Sequence, residues 1–179
     1  MLINFLCNMR LKYIVFAVVL LTGSACRRSS SSCALLKNDL ESEQDTTGLT
    51  TKHAHSGHYS YVLPHGSQFG SKVFKAPLSS CGKIPRKIRA SAQAYVMSGR
   101  VGTTMLVVSL QCHGRRPDVW AALTINEAVK RFQTWVDLKK TIEIPADALP
   151  TDEVQVYVWH MDATAEPTYF DDFKIKGYE

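Results

Sequence analysis

Glu153–Gly177, EVQVYVWHMDATAEPTYFDDFKIKG, decides the fold. Over Glu153–His160 the apolar Val154, Val156 and Val158 alternate with Gln155, Tyr157 and Trp159, the period of two of a strand with one buried face. A short polar loop follows, and Tyr169–Lys176 then reads as a second strand.

The same texture extends upstream. Lys37–Glu41, Tyr59–Leu63, Ser71–Phe74, Lys87–Met97, Thr104–Cys112, Val119–Ile125 and Thr134–Ile144 are further strand candidates, separated by Gly, Pro and Asp turns. No segment has a long helical period, although Asn126–Phe132 has room for one or two turns, and no internal repeat is present. Nine short antiparallel candidates predict an all-β sandwich in one domain, residues 36–179. Propensity alone leaves a jelly roll and an immunoglobulin-like fold both open. Alternation assigns faces: Ile88, Ala90, Ala92, Ala94 and Val96 share one side of their strand, leaving Arg89, Ser91, Gln93 and Tyr95 on the other. In Val119–Ile125 the same rule turns Trp120 outward.

The front of the chain carries an export signal. Arg10 and Lys12 precede the apolar run Tyr13–Leu21, too short to span a bilayer, and Thr22-Gly23-Ser24-Ala25 supplies small residues before Cys26. Residues 1–25 therefore read as a signal peptide, and Met9 opens a complete signal by itself. Small residues directly before a Cys resemble a bacterial lipobox, which implies lipid on Cys26, attachment to the membrane through that lipid, and a place in the cell envelope, periplasmic or surface-exposed. Without lipid the protein would be secreted. Gly23 and Arg27-Arg28 depart from the usual lipobox pattern. Residues 26–35, rich in Ser, read as a flexible tether.

Loss of Arg10 and Lys12 with the leader lowers the formal charge from +5 to +3, and this modest balance carries no nucleic-acid footprint. The basic run Lys83–Arg89 has no interleaved aromatics for base stacking and reads as a solvated loop entering a strand. Export permits disulfides. With Cys33 assigned to the tether, Cys81 and Cys112 remain in the domain, and two readings stand: a bridge between them, or a buried thiol at Cys112, which shares the face of Leu106, Val108 and Leu110.

Asn38-Asp39-Leu40-Glu41-Ser42, then Ala54-His55-Ser56-Gly57-His58-Tyr59-Ser60-Tyr61, then Trp135 before a strand, then Tyr169-Phe170-Asp171-Asp172-Phe173-Lys174-Ile175 occur in that order. The ordered set resembles the jelly-roll carbohydrate-binding modules of the family 4/9/22 type, over residues 38–176. Leu40 stands where those modules usually have Phe, and His160 where they often have Asn. The resemblance selects the jelly roll, two antiparallel sheets with first and last strands adjacent. It implies a non-catalytic binding module with glycan on the concave outer face of one sheet. It also implies a structural Ca²⁺ held by Glu41, Asp171 and the Ser56 carbonyl, two carboxylates and a carbonyl being the hard oxygen donors that ion takes.

Sugar rings stack their C–H faces on aromatics while their hydroxyls seek amide, carboxylate and guanidinium partners. Outward parity then nominates Tyr95, Trp120, Tyr157 and Trp159 as stacking residues, with Arg89, Gln93 and Gln155 as polar partners. Trp135 reads as a packing residue. Glycoside hydrolysis needs two carboxyl groups across a cleft, whereas Glu41 and Asp171 are assigned to strand ends. No G-x-S-x-G motif occurs, and His53, His55 and His58 lie in a loop without a nearby nucleophile motif. The expectation is no enzyme, with two function classes: an envelope-anchored glycan-binding module, or a structural adhesion domain whose outer aromatics contact an envelope protein.

Overall fold

The computed structural model describes residues 31–161 and 166–179. Its strands are β1 Ser32–Asn38, β2 Leu49–Thr50, β3 Ser60–Leu63, β4 Phe69–Pro77, β5 Lys87–Val96, β6 Thr104–Gln111, β7 Val119–Thr124, β8 Trp135–Glu143, β9 Glu153–His160 and β10 Thr168–Tyr178. They form two antiparallel sheets. The larger runs β2-β3-β10-β5-β8 with β1 also on β10, and the smaller runs β4-β9-β6-β7. Among the described residues the helical structure is one α-turn, α1 Ile125–Ala128, and a 3-10 turn at Leu78–Cys81. This is the all-β jelly-roll sandwich that the alternation and the motifs lead one to expect.

The alternation builds the core. Ala90, Ala92 and Ala94 of β5 face Leu106, Val108 and Leu110 of β6 and Val154, Val156 and Val158 of β9 in one buried cluster. Phe74 of β4 stacks on Phe173 of β10 across the sandwich, ring centroids 4.1 Å apart. Each fully buried Val, Leu or Phe contributes about 1.5–3 kcal/mol, so this interlayer cluster holds the two sheets in register. Their outer faces are left for other work.

First and last strands are neighbours, with Lys37 opposite Lys174 and Asn38 opposite Phe173. The first strand starts earlier than Lys37–Glu41, however. Asn38 Oδ1 accepts the Leu40 N–H at 2.8 Å and Leu40 turns to φ 69°, which ends the strand and drops Leu40 into the core. Ser32 already pairs with Tyr178, so the expected tether over 26–35 is shortened from its far end. The leader, Cys26 and the start of the tether lie outside the described residues.

Cys81 pairs with Cys33, not with Cys112. The reading of a Cys81–Cys112 bridge falls because Cys33 belongs to a strand rather than to the tether. Gly177 is the residue of β10 beneath this bridge: a Cβ there would lie 2.7 Å from Cys33 Sγ and 2.9 Å from Cys81 Sγ. Cys112 is free and buried, the second of the two readings, and burial pushes its thiol pKa up.

The Asp-Asp pair of the terminal motif is a β-bulge. Against β5, Asp171 sits opposite Gln93 and Lys174 opposite Ser91, so β10 carries one residue more than its partner. Asp172 absorbs it at φ 51°, a left-handed conformation that Asp tolerates. Asp171 and Lys174 thereby both remain on the outer side.

Candidate functional site

The seven residues nominated for the ligand do not form one surface. Arg89, Gln93 and Tyr95 lie on β5 in the larger sheet, whereas Trp120 on β7 and Gln155, Tyr157 and Trp159 on β9 lie in the smaller one. Parity had placed every one of them outward, and all are. It carries no information about which sheet a strand joins, so one expected site becomes two opposite faces.

On the smaller sheet the cross-strand rows build a groove of about 380 Å³. One row runs Val73–Tyr157–Val107–Ala122 and the next Lys75–Gln155–Ser109–Trp120. The central strand β6 contributes the small Val107 and Ser109 as a buried floor. Trp120 leans over that floor and donates its indole N–H to the Tyr157 hydroxyl at 3.2 Å. The bond fixes the indole plane while leaving Trp120 51% exposed. Phe69, 62% exposed, stacks on Trp159 at 5.9 Å and 12° between planes, extending the aromatic wall along β4 and β9. Polar groups sit at the groove's end: Gln155 donates to Glu153 at 2.9 Å, Gln111 to Ser109 at 3.3 Å, and Asp118 accepts the Cys112 N–H at 2.8 Å.

Sequence reasoning missed Phe69, Val73, Gln111 and Asp118. A signal existed for Val73, because Phe74 and Ala76 point inward and so turn Val73 outward. The register slip between Phe69 and Val73 breaks the alternation before it reaches Phe69. His160, one of the departures from the module pattern, is buried and shares a 2.5 Å hydrogen bond with Thr104 Oγ1, so it supports the strand end.

The larger sheet's outer face is different. Trp135, Tyr95 and Tyr169 stand side by side on β8, β5 and β10. The loop from β2 to β3 crosses them: His53 stacks on Tyr95 at 4.3 Å and meets the edge of Tyr169 at 4.6 Å, and His55 meets Trp135 edge-on at 5.5 Å. Burial lowers the His53 pKa, with Lys52 adding to the effect. Tyr95 is therefore a covered ring, and Trp135 packs against the loop.

Glu41 and Asp171 hold this loop down. Asp171 Oδ2 accepts the N–H groups of His55 and Ser56 at 2.8 and 3.1 Å, its Oδ1 accepts that of Asp172 at 2.7 Å, and Glu41 Oε1 accepts those of His58 and Tyr59, each at 2.8 Å. Gly57, at φ 60°, is forced by the same grip, since a Cβ would come 2.4 Å from the Glu41 carboxyl carbon. Burial raises the Asp171 pKa and the three N–H donors oppose that rise. Glu41, Asp171 and Ser56 are the residues nominated for calcium, and here they engage the loop through its amides. Both Asp171 oxygens and Glu41 Oε1 accept amide donors, and no group of three or more His, Cys, Asp or Glu among the described residues stands close enough to hold a metal.

No protein-family model matches the sequence, and no curated protein matches it. Solved structures do. The chain is similar to the CBM22-1 xylan-binding domain from Paenibacillus barcinonensis Xyn10C, at 17% identity and TM-score 0.52, over 83% of this chain and 96% of that one. It is similar to the CBM22-2 xylan-binding domain of the same protein, at 14% identity and TM-score 0.52, over 80% and 99%. It is also similar to the CBM22-1-GH10 modules of Clostridium thermocellum endo-1,4-beta-D-xylanase 10B complexed with xylohexaose, at 12% identity and TM-score 0.52, over 80% of this chain and 28% of that one. The fold is thus the β-sandwich of carbohydrate-binding modules, the class that the ordered motifs resemble.

Proposed function

We propose that the protein is a non-catalytic glycan-binding module whose site is the groove on the smaller sheet, and that lipid on Cys26 anchors it to the bacterial cell envelope. The observation that carries the binding site is Trp120: an indole held by one hydrogen bond, half exposed, over a floor of small side chains. Immobilising a stacking ring before the ligand arrives lowers the entropy lost on binding. Among the described residues that line the groove the one carboxylate is Asp118, already engaged with a backbone N–H, so the surface suits an uncharged chain. Support for a xylan-type ligand comes from the xylan-binding domains that share the fold. Phe69 and Val73, exposed and apolar, favour a second reading, contact with an envelope protein on the same face.

A glycan array separates the two. Binding of β-linked neutral oligosaccharides by the wild type, lost in Trp120→Ala, is the expected result. An array without signal, together with an envelope protein retained through Phe69 and Trp120, would favour adhesion. Anchoring has its own test: the protein should fractionate with membranes, and Cys26→Ser should release it, because two or more acyl chains anchor stably.

A further inference from the structure

Beyond the covered aromatics, the larger sheet's outer face opens into a second groove, of about 300 Å³, with cations from three strands around it. The register sets Lys139 of β8 and Lys174 of β10 on either side of Ser91 in β5, and Lys176 beside Arg89 one step further along. Adjacent strands lie about 4.8 Å apart, so four cations crowd a patch only three strands wide. They are far apart in the sequence, and only the fold gathers them. Lys139 pairs with Asp137 and Lys174 lies 3.9 Å from Asp172, while Arg89 and Lys176 have no carboxylate partner among the described residues.

Arg89 is already oriented. Its guanidinium lies 4.9 Å over the Tyr178 ring, its Nε donates to Thr141 Oγ1 at 3.4 Å and its Nη1 to the Tyr178 hydroxyl at 3.5 Å, which leaves the Nη2 hydrogens and the second Nη1 hydrogen for a ligand. A planar fork held in place is the group that recognises a planar carboxylate through two parallel hydrogen bonds. Ser91 and Gln93 supply hydroxyl and amide groups at the floor, the partners sugar hydroxyls need. Carboxylate and hydroxyls on one ring are the chemistry of a uronic acid.

We infer that this groove is a second saccharide site, for a carboxylate-bearing polysaccharide, on the opposite side of the sandwich from the neutral-glycan groove. An anionic membrane would be met by lysine tips alone, whereas here the Arg89 fork is set over Tyr178 and beside the hydroxyl of Thr141. A single-stranded nucleic acid would need open aromatic faces, and here Tyr178 is engaged by Arg89 and Tyr95 by His53. With one site on each outer face, the module joins an acidic chain to a neutral one.

The test is titration of the full-length protein in detergent with oligogalacturonate and, separately, xylohexaose, phosphatidylglycerol vesicles and single-stranded DNA. Oligogalacturonate should bind, more weakly as salt rises, and Arg89→Gln should weaken it about tenfold or more, the loss expected of a charged hydrogen bond. Arg89→Lys should recover only part, since it keeps the charge and loses the fork, and Trp120→Ala should leave this binding intact. Xylohexaose should show the reverse dependence, so failure of one face is distinguishable from failure of the other. Arg89 is exposed, and unchanged thermal melts of its variants control for folding. The inference is overturned if oligogalacturonate does not bind, if Arg89→Gln binds it as well as wild type, or if dependence on Arg89 appears only with vesicles or DNA.

Discussion

The two outer faces of this sandwich are made by the same alternation of apolar and polar residues, and they end up with opposite characters. On the smaller sheet nothing among the described residues crosses the strands, so Trp120 and Phe69 stay open above a buried floor. On the larger sheet the loop between β2 and β3 is pulled onto Tyr95, Tyr169 and Trp135 by the carboxylates of Glu41 and Asp171. A face becomes a binding surface through what leaves it uncovered, as much as through the rings it bears. Burial energy separates the two cases: an aromatic under a loop stabilises the fold, whereas one over an open groove is available to stabilise a complex.

The largest effect that would break this contrast is at Asp171. Asp171→Ala removes the acceptor for three part-buried backbone N–H groups and should destabilise the domain by about 2–3 kcal/mol, since each donor left unpaired costs about 1 kcal/mol where water can partly reach it. Wild-type melting should not rise with added calcium, because an ion stabilises only a fold that binds it. A calcium-dependent rise that Asp171→Ala abolishes would restore the oxygen cage and revise the loop geometry given above.

Next in size is the exchange between stability and binding. Trp120→Ala should weaken xylo-oligosaccharide binding by about 1–2 kcal/mol and leave the melting temperature nearly unchanged; Tyr95→Ala should lower stability by about 1 kcal/mol and leave that binding unchanged. Equal losses of stability from both would mean that Trp120 is packed and the faces are alike.

The smallest is a pH effect at His53. Burial lowers its pKa below the ordinary 6.5, so its contribution to stability is complete above about pH 6.5 and is lost as pH falls from there towards the folded-state value, where the unfolded chain takes up the proton first. His53→Phe keeps a ring over Tyr95 and should flatten the stability profile across that range. An unchanged profile would place the titrating group elsewhere.

Much of this was legible in the sequence. The period of two identified the inward sides of β5, β6, β7 and β9 correctly, and the ordered motifs selected the jelly roll with β1 beside β10. The candidate site was half legible. Alternation is a local property of one strand, and it turned Tyr95 and Trp120 outward equally well. Which sheet each strand joins, and whether a loop crosses it, are set by contacts distant in the sequence, such as His53 on Tyr95 and Asp171 on the amides of His55 and Ser56. Phe69 was lost for a different reason, since the register slip before Val73 interrupts the period. The Cys33–Cys81 bridge was missed because a Ser-rich stretch reads as tether until its pairing with Tyr178 and Gly177 is seen.

The protein has three tryptophans, one in each environment that matters: Trp120 in the open groove, Trp159 at its stacked edge and Trp135 against the histidine loop on the other face. Their indole N–H signals in an NMR titration with xylohexaose test the central claim most directly. The Trp120 signal should shift and saturate, with Trp159 following less strongly, while Trp135 stays fixed. A saturating shift at Trp135 with Trp120 unmoved would put the glycan on the larger sheet and contradict the account.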